Sequence, residues 1–94
     1  MQPETPEEFK RVLETALLAA ASPVPVSDLR RLFEEDPGGD LVWRLLDELA
    51  EDWQGRGVEL VQTAGGWRFQ TRLVYQVYLD RLKQERPPRY SRAV

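Results

Sequence analysis

Cysteine and histidine are both missing from this 94-residue chain, and no apolar run approaches the roughly 20 residues that a membrane-spanning helix needs. Without cysteine, disulfides and thiolate chemistry are excluded. Without histidine, the chain lacks the commonest metal ligand and the commonest general base at neutral pH. The N-terminus has neither the basic region nor the apolar run of a signal peptide, so we expect a cytoplasmic protein. We expect no cofactor, no metal ion and no membrane contact.

Sequence motifs of enzyme chemistry are missing as well. No HExxH, GxSxG or phosphate-binding loop pattern occurs in the chain. Adjacent acidic residues stand at positions 34–36 and 51–52, but each run falls at the end of a predicted helix, where solvated surface is the ordinary explanation. We therefore expect that this protein is not an enzyme.

What the chain does contain is most informative in the segment GVELVQTAGGWRFQT, residues 57–71. β-Branched and aromatic side chains recur on both sides of a glycine pair, and such residues suit a pleated, half-buried surface. Gly65-Gly66 is predicted to supply the turn, because glycine reaches positive φ without steric cost. The segment therefore predicts a two-stranded antiparallel hairpin.

Three helical segments are predicted before this hairpin. The first begins at Thr5, which can cap it in a Thr-x-x-Glu box. The sequence SPVPV then breaks the helix, and Ser27 is predicted to cap a second helix over residues 27–35. Asp40 is predicted to cap a third helix that ends near Gln54. Glycines follow the third helix and lead into the hairpin.

A fourth helix is predicted from Leu73 to Lys83, directly after the hairpin. Apolar residues cover most of its circumference, so it needs more than one partner surface. Three helices followed by a β-hairpin wing are the layout of a winged-helix domain. We predict an α+β fold of this kind, a three-helix bundle with a wing and a fourth helix, over residues 1–83. Residues 84–94 are predicted to be an extended linker.

Charge is divided unevenly along the chain. Residues 1–79 carry eight basic and fourteen acidic side chains, whereas residues 80–94 carry five basic and two acidic ones. In a winged-helix DNA-binding protein the third helix would enter the major groove. Here that helix holds five acidic residues, and Arg44 is its single basic one. Phosphates repel such a helix, so we do not expect direct DNA binding by this domain.

Weak candidate contacts to nucleic acid remain in two places. Arg68 and Arg72 lie in the predicted wing and just after it. Arg86 and Arg89, together with Arg92, lie in the basic C-terminal segment, where a solvated linker is the favoured interpretation. These arginines keep a winged-helix DNA-binding transcriptional regulator open as the alternative function.

Aromatic and apolar residues point to protein assembly instead. Trp43 is predicted about a third of a turn from the centre of the apolar face of the third helix. A tryptophan there either shields the edge of the core, which is the favoured interpretation, or anchors a partner, because tryptophan and tyrosine are enriched at interface hot spots. The fourth helix, with Tyr75, Tyr78 and Leu79, supports the second interpretation more strongly. These four residues are our candidates for a dimer or partner interface.

Three local motifs resemble a known family. They are ALLAAASPVPVSDL, GVELVQTAGGWRFQT and RPPRYSRAV. They resemble, in this order, the opening helix with its following turn, the wing, and the start of the second winged-helix domain in the bacterial segregation and condensation protein ScpB. The resemblance covers essentially the whole chain, and the wing together with the closing segment is its most specific part.

This resemblance implies a subunit of the condensin-like SMC–kleisin complex, which organises and segregates chromosomes. It implies a homodimer, with dimer formation associated with the N-terminal domain. It also implies binding to the central part of the kleisin subunit ScpA and contact with the SMC ATPase through the complex. The family has two winged-helix domains, so residues 84–94 are expected to lead toward a second domain that this chain does not contain.

Overall fold

The computed structural model describes residues 2–84 as four helices and one hairpin. Their order is α1 (Pro6–Ala19), α2 (Val26–Arg30), α3 (Gly39–Asp52), β1 (Val58–Thr63), β2 (Gly66–Thr71) and α4 (Leu73–Gln84). The predicted winged-helix fold is thereby confirmed, including the fourth helix after the wing. The predicted linker overlaps α4 at residue 84 and otherwise lies outside the described residues.

One apolar core joins α1, α2 and α3 to the inner side of the hairpin. Leu46 is fully buried at its centre, and Phe9 contacts Phe33 with ring centroids 4.9 Å apart. Trp53 and Phe69 close the far end of the core, with centroids 4.8 Å apart. The buried side chains are Leu13, Leu17, Leu29, Phe33, Val42, Leu45, Leu46, Leu49, Leu60 and Trp67. All ten lie outside α4, so the body formed by α1–α3 and the hairpin supplies its own core.

The start of α1 follows the predicted cap. The hydroxyl oxygen of Thr5 accepts a hydrogen bond from the backbone N–H of Glu8 at 3.2 Å. The carboxylate of Glu8 accepts from the backbone N–H of Glu4, one residue before the cap, rather than from Thr5 itself. Both bonds satisfy donors that a helix N-terminus would otherwise leave open.

Two of the predicted caps are wrong, and the second helix is shorter than predicted. α2 begins at Val26 without a side-chain cap, and it ends at Arg30 instead of residue 35. The chain continues in tighter turns, in which the backbone N–H groups of Leu32 and Phe33 donate to the carbonyls of Leu29 and Arg30 at 3.2 and 3.4 Å. The guanidinium of Arg30 then donates to Asp36 at 2.6 and 3.0 Å. α3 likewise begins after Gly38, whose φ of 91° sets the entry, and Asp40 lies inside the helix.

The hairpin pairs Val58 with Thr71 and Thr63 with Gly66, so Ala64 and Gly65 form the turn. The prediction that Gly65-Gly66 makes the turn is therefore shifted by one residue. Gly66 has a φ of 132° and lies against the backbone of Val24, where an added Cβ would lie 2.6 Å from the nitrogen of Pro25. Trp67 and Val24 exchange backbone hydrogen bonds of 2.8 and 2.9 Å. This short bridge attaches the wing to the segment before α2.

Candidate functional site

The fourth helix places its apolar side chains in solvent. Leu73 is 86% exposed, Leu82 61% and Tyr78 59%, and no side chain of residues 73–83 is buried. Gln76 is the least exposed of these residues, and it lines an open cleft with Phe69 and other residues of the hairpin. The helix therefore turns a polar residue toward its own domain and most of its apolar residues away from it.

Five of these side chains form one continuous face. Val74, Tyr78 and Leu82 follow each other at intervals of four residues, and Tyr75 and Leu79 form the neighbouring row. We call this set the α4 face. The rings of Tyr75 and Tyr78 lie 6.4 Å apart, and the guanidinium of Arg81 lies 5.6 Å from the centroid of Tyr78. Three of the four predicted interface residues belong to this face.

Arg72, directly before α4, is hydrogen-bonded to the body. The Nε of Arg72 donates to the carbonyl oxygen of Arg56 at 2.7 Å, and its Nη1 donates to the carboxylate of Glu59 at 3.1 Å. Its backbone N–H donates to the carbonyl of Gly57 at 2.9 Å. The ring of Tyr75 lies over Gly57, at ordinary van der Waals distance from where a Cβ would stand. Sequence reasoning missed this arrangement, although counting the strand register back from the turn would have placed Arg72 close to Glu59.

Trp43, the fourth predicted interface residue, lies on α3 in the body and does not belong to the α4 face. Its indole packs edge-on against Trp67, with ring centroids 5.4 Å apart and an angle of 74° between the planes. Trp43 is 39% exposed, whereas Trp67 is 5% exposed. The indole N–H of Trp67 has no hydrogen-bond partner within residues 2–84. Trp43 thus shields the core, as favoured from the sequence, and still presents part of its ring to solvent.

The outer surface of α3 is acidic in the structure as well. Lys10 from α1 forms ion pairs with Glu48 at 3.3 Å and Asp52 at 3.1 Å. The hydrogen bond to the Asp52 carboxylate raises the pKa of Lys10 above its ordinary value. Asp47 and Glu51 stay exposed on the same helix. This surface has the wrong charge to follow a phosphate backbone.

The arginines that kept DNA binding open are placed differently from one another. Arg72 is engaged with Glu59 and with a backbone carbonyl, so its charge is already paired within the domain. Arg68 is exposed on β2. Arg86 and Arg89, like Arg92, lie outside the described residues. One exposed arginine on the wing, beside an acidic third helix, is not the clustered positive surface that duplex binding requires.

Within residues 2–84, no group of three or more acidic side chains could hold a metal ion. Arg30 and the backbone N–H of Gly38 both donate to the carboxylate of Asp36, and these hydrogen bonds lower the pKa of Asp36 to about 2. This ion pair closes the loop between α2 and α3, and both side chains reach the surface.

Among the described residues, none of the helices has the length and apolar character that a membrane span requires.

Comparison with known proteins identifies the family. Residues 11–94 match the family model of the segregation and condensation complex subunit ScpB. The segregation and condensation protein B homolog of Coxiella burnetii is 44% identical over 87 residues, which are 90% of this chain and 42% of the relative. Segregation and condensation protein B of Syntrophotalea carbinolica is 38% identical over 88 residues, 92% of this chain and 44% of the relative. The chain thus spans less than half the length of these curated relatives.

Solved structures agree with this result. The crystal structure of ScpB from Mycobacterium tuberculosis superimposes with a TM-score of 0.83 at 29% identity, over 96% of this chain and 57% of that one. A dimer of an ScpB N-terminal domain complexed with ScpA peptide superimposes with a TM-score of 0.71 at 24% identity, over 81% of this chain and 95% of that one, and supports the fold. The chain belongs to the ScpB family of segregation and condensation complex subunits.

Proposed function

We propose that this chain is a non-enzymatic, homodimerising scaffold of the bacterial SMC–kleisin complex. In this role it binds the kleisin subunit ScpA, reaches the SMC ATPase through the complex, and supports chromosome condensation and segregation in the cytoplasm. The observation that carries the proposal is the uncovered α4 face. A helix whose apolar residues point away from its own domain is completed only by another surface.

A second copy of the chain can cover this surface, but burial of the two α4 faces alone does not offset the free-energy cost of association by enough for a stable dimer. Full burial of a large apolar side chain contributes roughly 1.5–3 kcal/mol, so the remaining exposed part of each residue on the α4 face contributes about 1 kcal/mol. Two helices then supply about 10 kcal/mol against an association cost of roughly 4–15 kcal/mol. Micromolar dimerisation therefore needs further surface, for which Trp43 is our candidate.

A related structure supports both parts of the proposal, the homodimer and the binding of ScpA. The ScpB N-terminal domain that superimposes on most of this chain is described as a dimer complexed with ScpA peptide. The acidic outer surface of α3 is also better suited to protein contact than to reading DNA, because its exposed carboxylates repel phosphate. We further propose that residues 1–83 act as the dimerising domain and that residues 84–94 connect it to a second winged-helix domain.

Sedimentation equilibrium across a concentration series tests the scaffold role. We expect the mass of a dimer at micromolar concentration and a shift toward the monomer on dilution. A monomer at all concentrations would remove self-association through this domain. Titration of a labelled peptide from the central part of ScpA tests the kleisin role in the same solutions. Binding of a labelled duplex at low salt, in place of the peptide, would revive the DNA-binding alternative.

A further inference from the structure

Arg72 is the single residue between the last strand and α4, and it makes three hydrogen bonds to two parts of the body, the loop after α3 and β1. Its Nε reaches the carbonyl of Arg56 in the loop after α3 at 2.7 Å, and its Nη1 reaches Glu59 on β1 at 3.1 Å. Its own backbone N–H reaches the carbonyl of Gly57 at 2.9 Å. A planar guanidinium can hold two acceptors in a fixed relative direction.

The partners of Arg72 are themselves held in place. The second carboxylate oxygen of Glu59 accepts from the side-chain amide of Gln70 on β2 at 3.3 Å. The guanidinium of Arg56 lies 5.0 Å from the ring centroid of Trp53, so the carbonyl that Arg72 contacts belongs to a residue that also packs on the end of the core. About a quarter of each side chain is exposed in the Arg72–Glu59 pair, 29% and 27%, so water screens it less than a surface pair.

Little else connects α4 to the body. Its side chains are exposed from Leu73 to Lys83, apart from the partly covered Gln76. The ring of Tyr75 over Gly57 is the apolar contact at its base. A helix that buries almost none of its surface against its own domain gets its direction from its first turn, because packing does not fix it further along.

We infer that Arg72 is a positioning residue that fixes the direction of α4, and with it the geometry in which the α4 face meets a second copy of the chain. The inference rests on the proposed function for its effect on dimerisation. Its structural half, the rigid exit of α4, stands without a dimer. Arg72 acts here from outside the interface, through the loop after α3 and through β1.

The absence of cysteine makes a direct test possible, because two engineered cysteines give a unique pair of labels. Spin labels at Ala19→Cys on α1 and Lys83→Cys on α4 report the distance between the body and the end of α4. The measurement is made in a Tyr78→Ala background to limit self-association. We expect Arg72→Gln to broaden this distance distribution. The matched control is Arg68→Gln, the same charge change on β2, which should leave the distribution as in the parent.

Graded variants separate the contacts of Arg72. Glu59→Gln removes the ion pair and keeps the bond to the Arg56 carbonyl, so we expect intermediate broadening. Arg72→Lys keeps the charge but lacks the planar guanidinium that donates to two acceptors in fixed directions, so we expect intermediate broadening for it as well. The exchanged pair Glu59→Arg with Arg72→Glu should not restore the narrow distribution, because a carboxylate cannot donate to a carbonyl. A narrow distribution in the exchanged pair would show that the ion pair with residue 59 alone holds α4, and it would overturn the role of the bond to the Arg56 carbonyl.

The consequence for assembly is measured without the Tyr78 substitution. We expect Arg72→Gln to raise the dimer dissociation constant about five- to tenfold, and Arg68→Gln to leave it unchanged. A distribution as narrow in Arg72→Gln as in the parent overturns the inference even if the protein dimerises. A wild-type monomer with a broadened Arg72→Gln distribution overturns the proposed dimer and leaves the positioning role intact. If Arg72→Gln does not fold, Glu59→Gln decides by the same two readouts.

Discussion

Leucine side chains fill the core of the body formed by α1–α3 and the hairpin, whereas those of α4 lie open to solvent. Leu46 on α3 is 0% exposed, and Leu73 on α4 is 86% exposed. Both helices are of ordinary length and both are rich in apolar residues. The difference is that α3 finds its partners among residues 2–84, whereas α4 finds none of comparable extent there. Burial of an apolar helix is thus a property of its surroundings, and an uncovered one indicates an additional partner.

Truncation of a buried leucine on α3 should destabilise the domain far more than truncation of an exposed leucine on α4. Leu46→Ala should lower the free energy of unfolding by about 2–5 kcal/mol, because it leaves a cavity in a filled core. Leu82→Ala, the same chemical change on α4, should lower it by less than about 0.5 kcal/mol. Urea unfolding at a concentration where the protein is monomeric measures both. Equal losses for the two variants would mean that α4 is covered by its own domain.

The attachment of the wing to the segment before α2 is tested at Gly66. Gly66→Ala should lower the free energy of unfolding by about 1–3 kcal/mol, because a side chain at its positive φ is strained and its Cβ would overlap the backbone of Val24. Gly65→Ala is the matched control, since its Cβ would meet the ring of Pro23 at 3.5 Å. Thermal unfolding of the two variants at one protein concentration makes the comparison. A stable Gly66→Ala variant would show that the wing is not attached through Val24.

A third effect concerns the partner of α4. Tyr78→Ala should raise the dimer dissociation constant about tenfold or more, because truncation of a buried interface tyrosine commonly costs over 1.4 kcal/mol. Near-ultraviolet circular dichroism should still show a folded domain. Leu18→Ala on α1, where the side chain is 52% exposed, is the control and should leave association unchanged. A Tyr78→Ala protein that dimerises as the parent does would count against the α4 face.

The smallest effect is electrostatic and lies in the loop that closes α2 onto α3. Arg30→Gln should raise the pKa of Asp36 from about 2 toward its ordinary value of about 4, because the main hydrogen-bond donor is removed. Gly38 still donates, so part of the lowering should persist. The stabilisation that this pair provides is present above pH 4 and is lost as the pH falls toward 2. Carboxyl NMR titration checks this, and Arg31→Gln should leave the pKa of Asp36 unchanged.

Prediction from sequence succeeded where a local pattern decides the structure. The capping threonine of α1, the strand alternation of the wing and the boundaries of α4 all follow from short-range rules. The break that SPVPV predicts after α1 is present as well, and there the structure pairs Val24 with Trp67. The exposure of α4 goes further than its sequence predicts. A helix that is apolar over most of its circumference needs more than one partner surface, yet no side chain from Leu73 to Lys83 is buried even against its own domain.

Prediction failed where long-range contacts decide. α2 ends at Arg30, and the helical pattern over residues 27–35 reveals neither this end nor the pairing of Arg30 with Asp36 in the following loop. The role of Arg72 depends on the register of the hairpin, which places it near Glu59. Its pairing there leaves Arg72 poorly placed as a nucleic-acid contact. The interface role of Trp43, Tyr75, Tyr78 and Leu79 stays a prediction that the association experiments must decide.

The edge-on contact of Trp43 with Trp67 has an optical consequence. Indole emission moves to shorter wavelength as its surroundings lose water. Of these two indole rings, only that of Trp43 has appreciable surface in solvent. In a Trp53→Phe background, which removes the third and partly exposed indole, a partner that covers the Trp43 ring should shift the intrinsic fluorescence toward the blue, and one that covers only α4 should not. The domain therefore carries a built-in spectroscopic probe that can tell, without any label, which of its two open surfaces has been occupied.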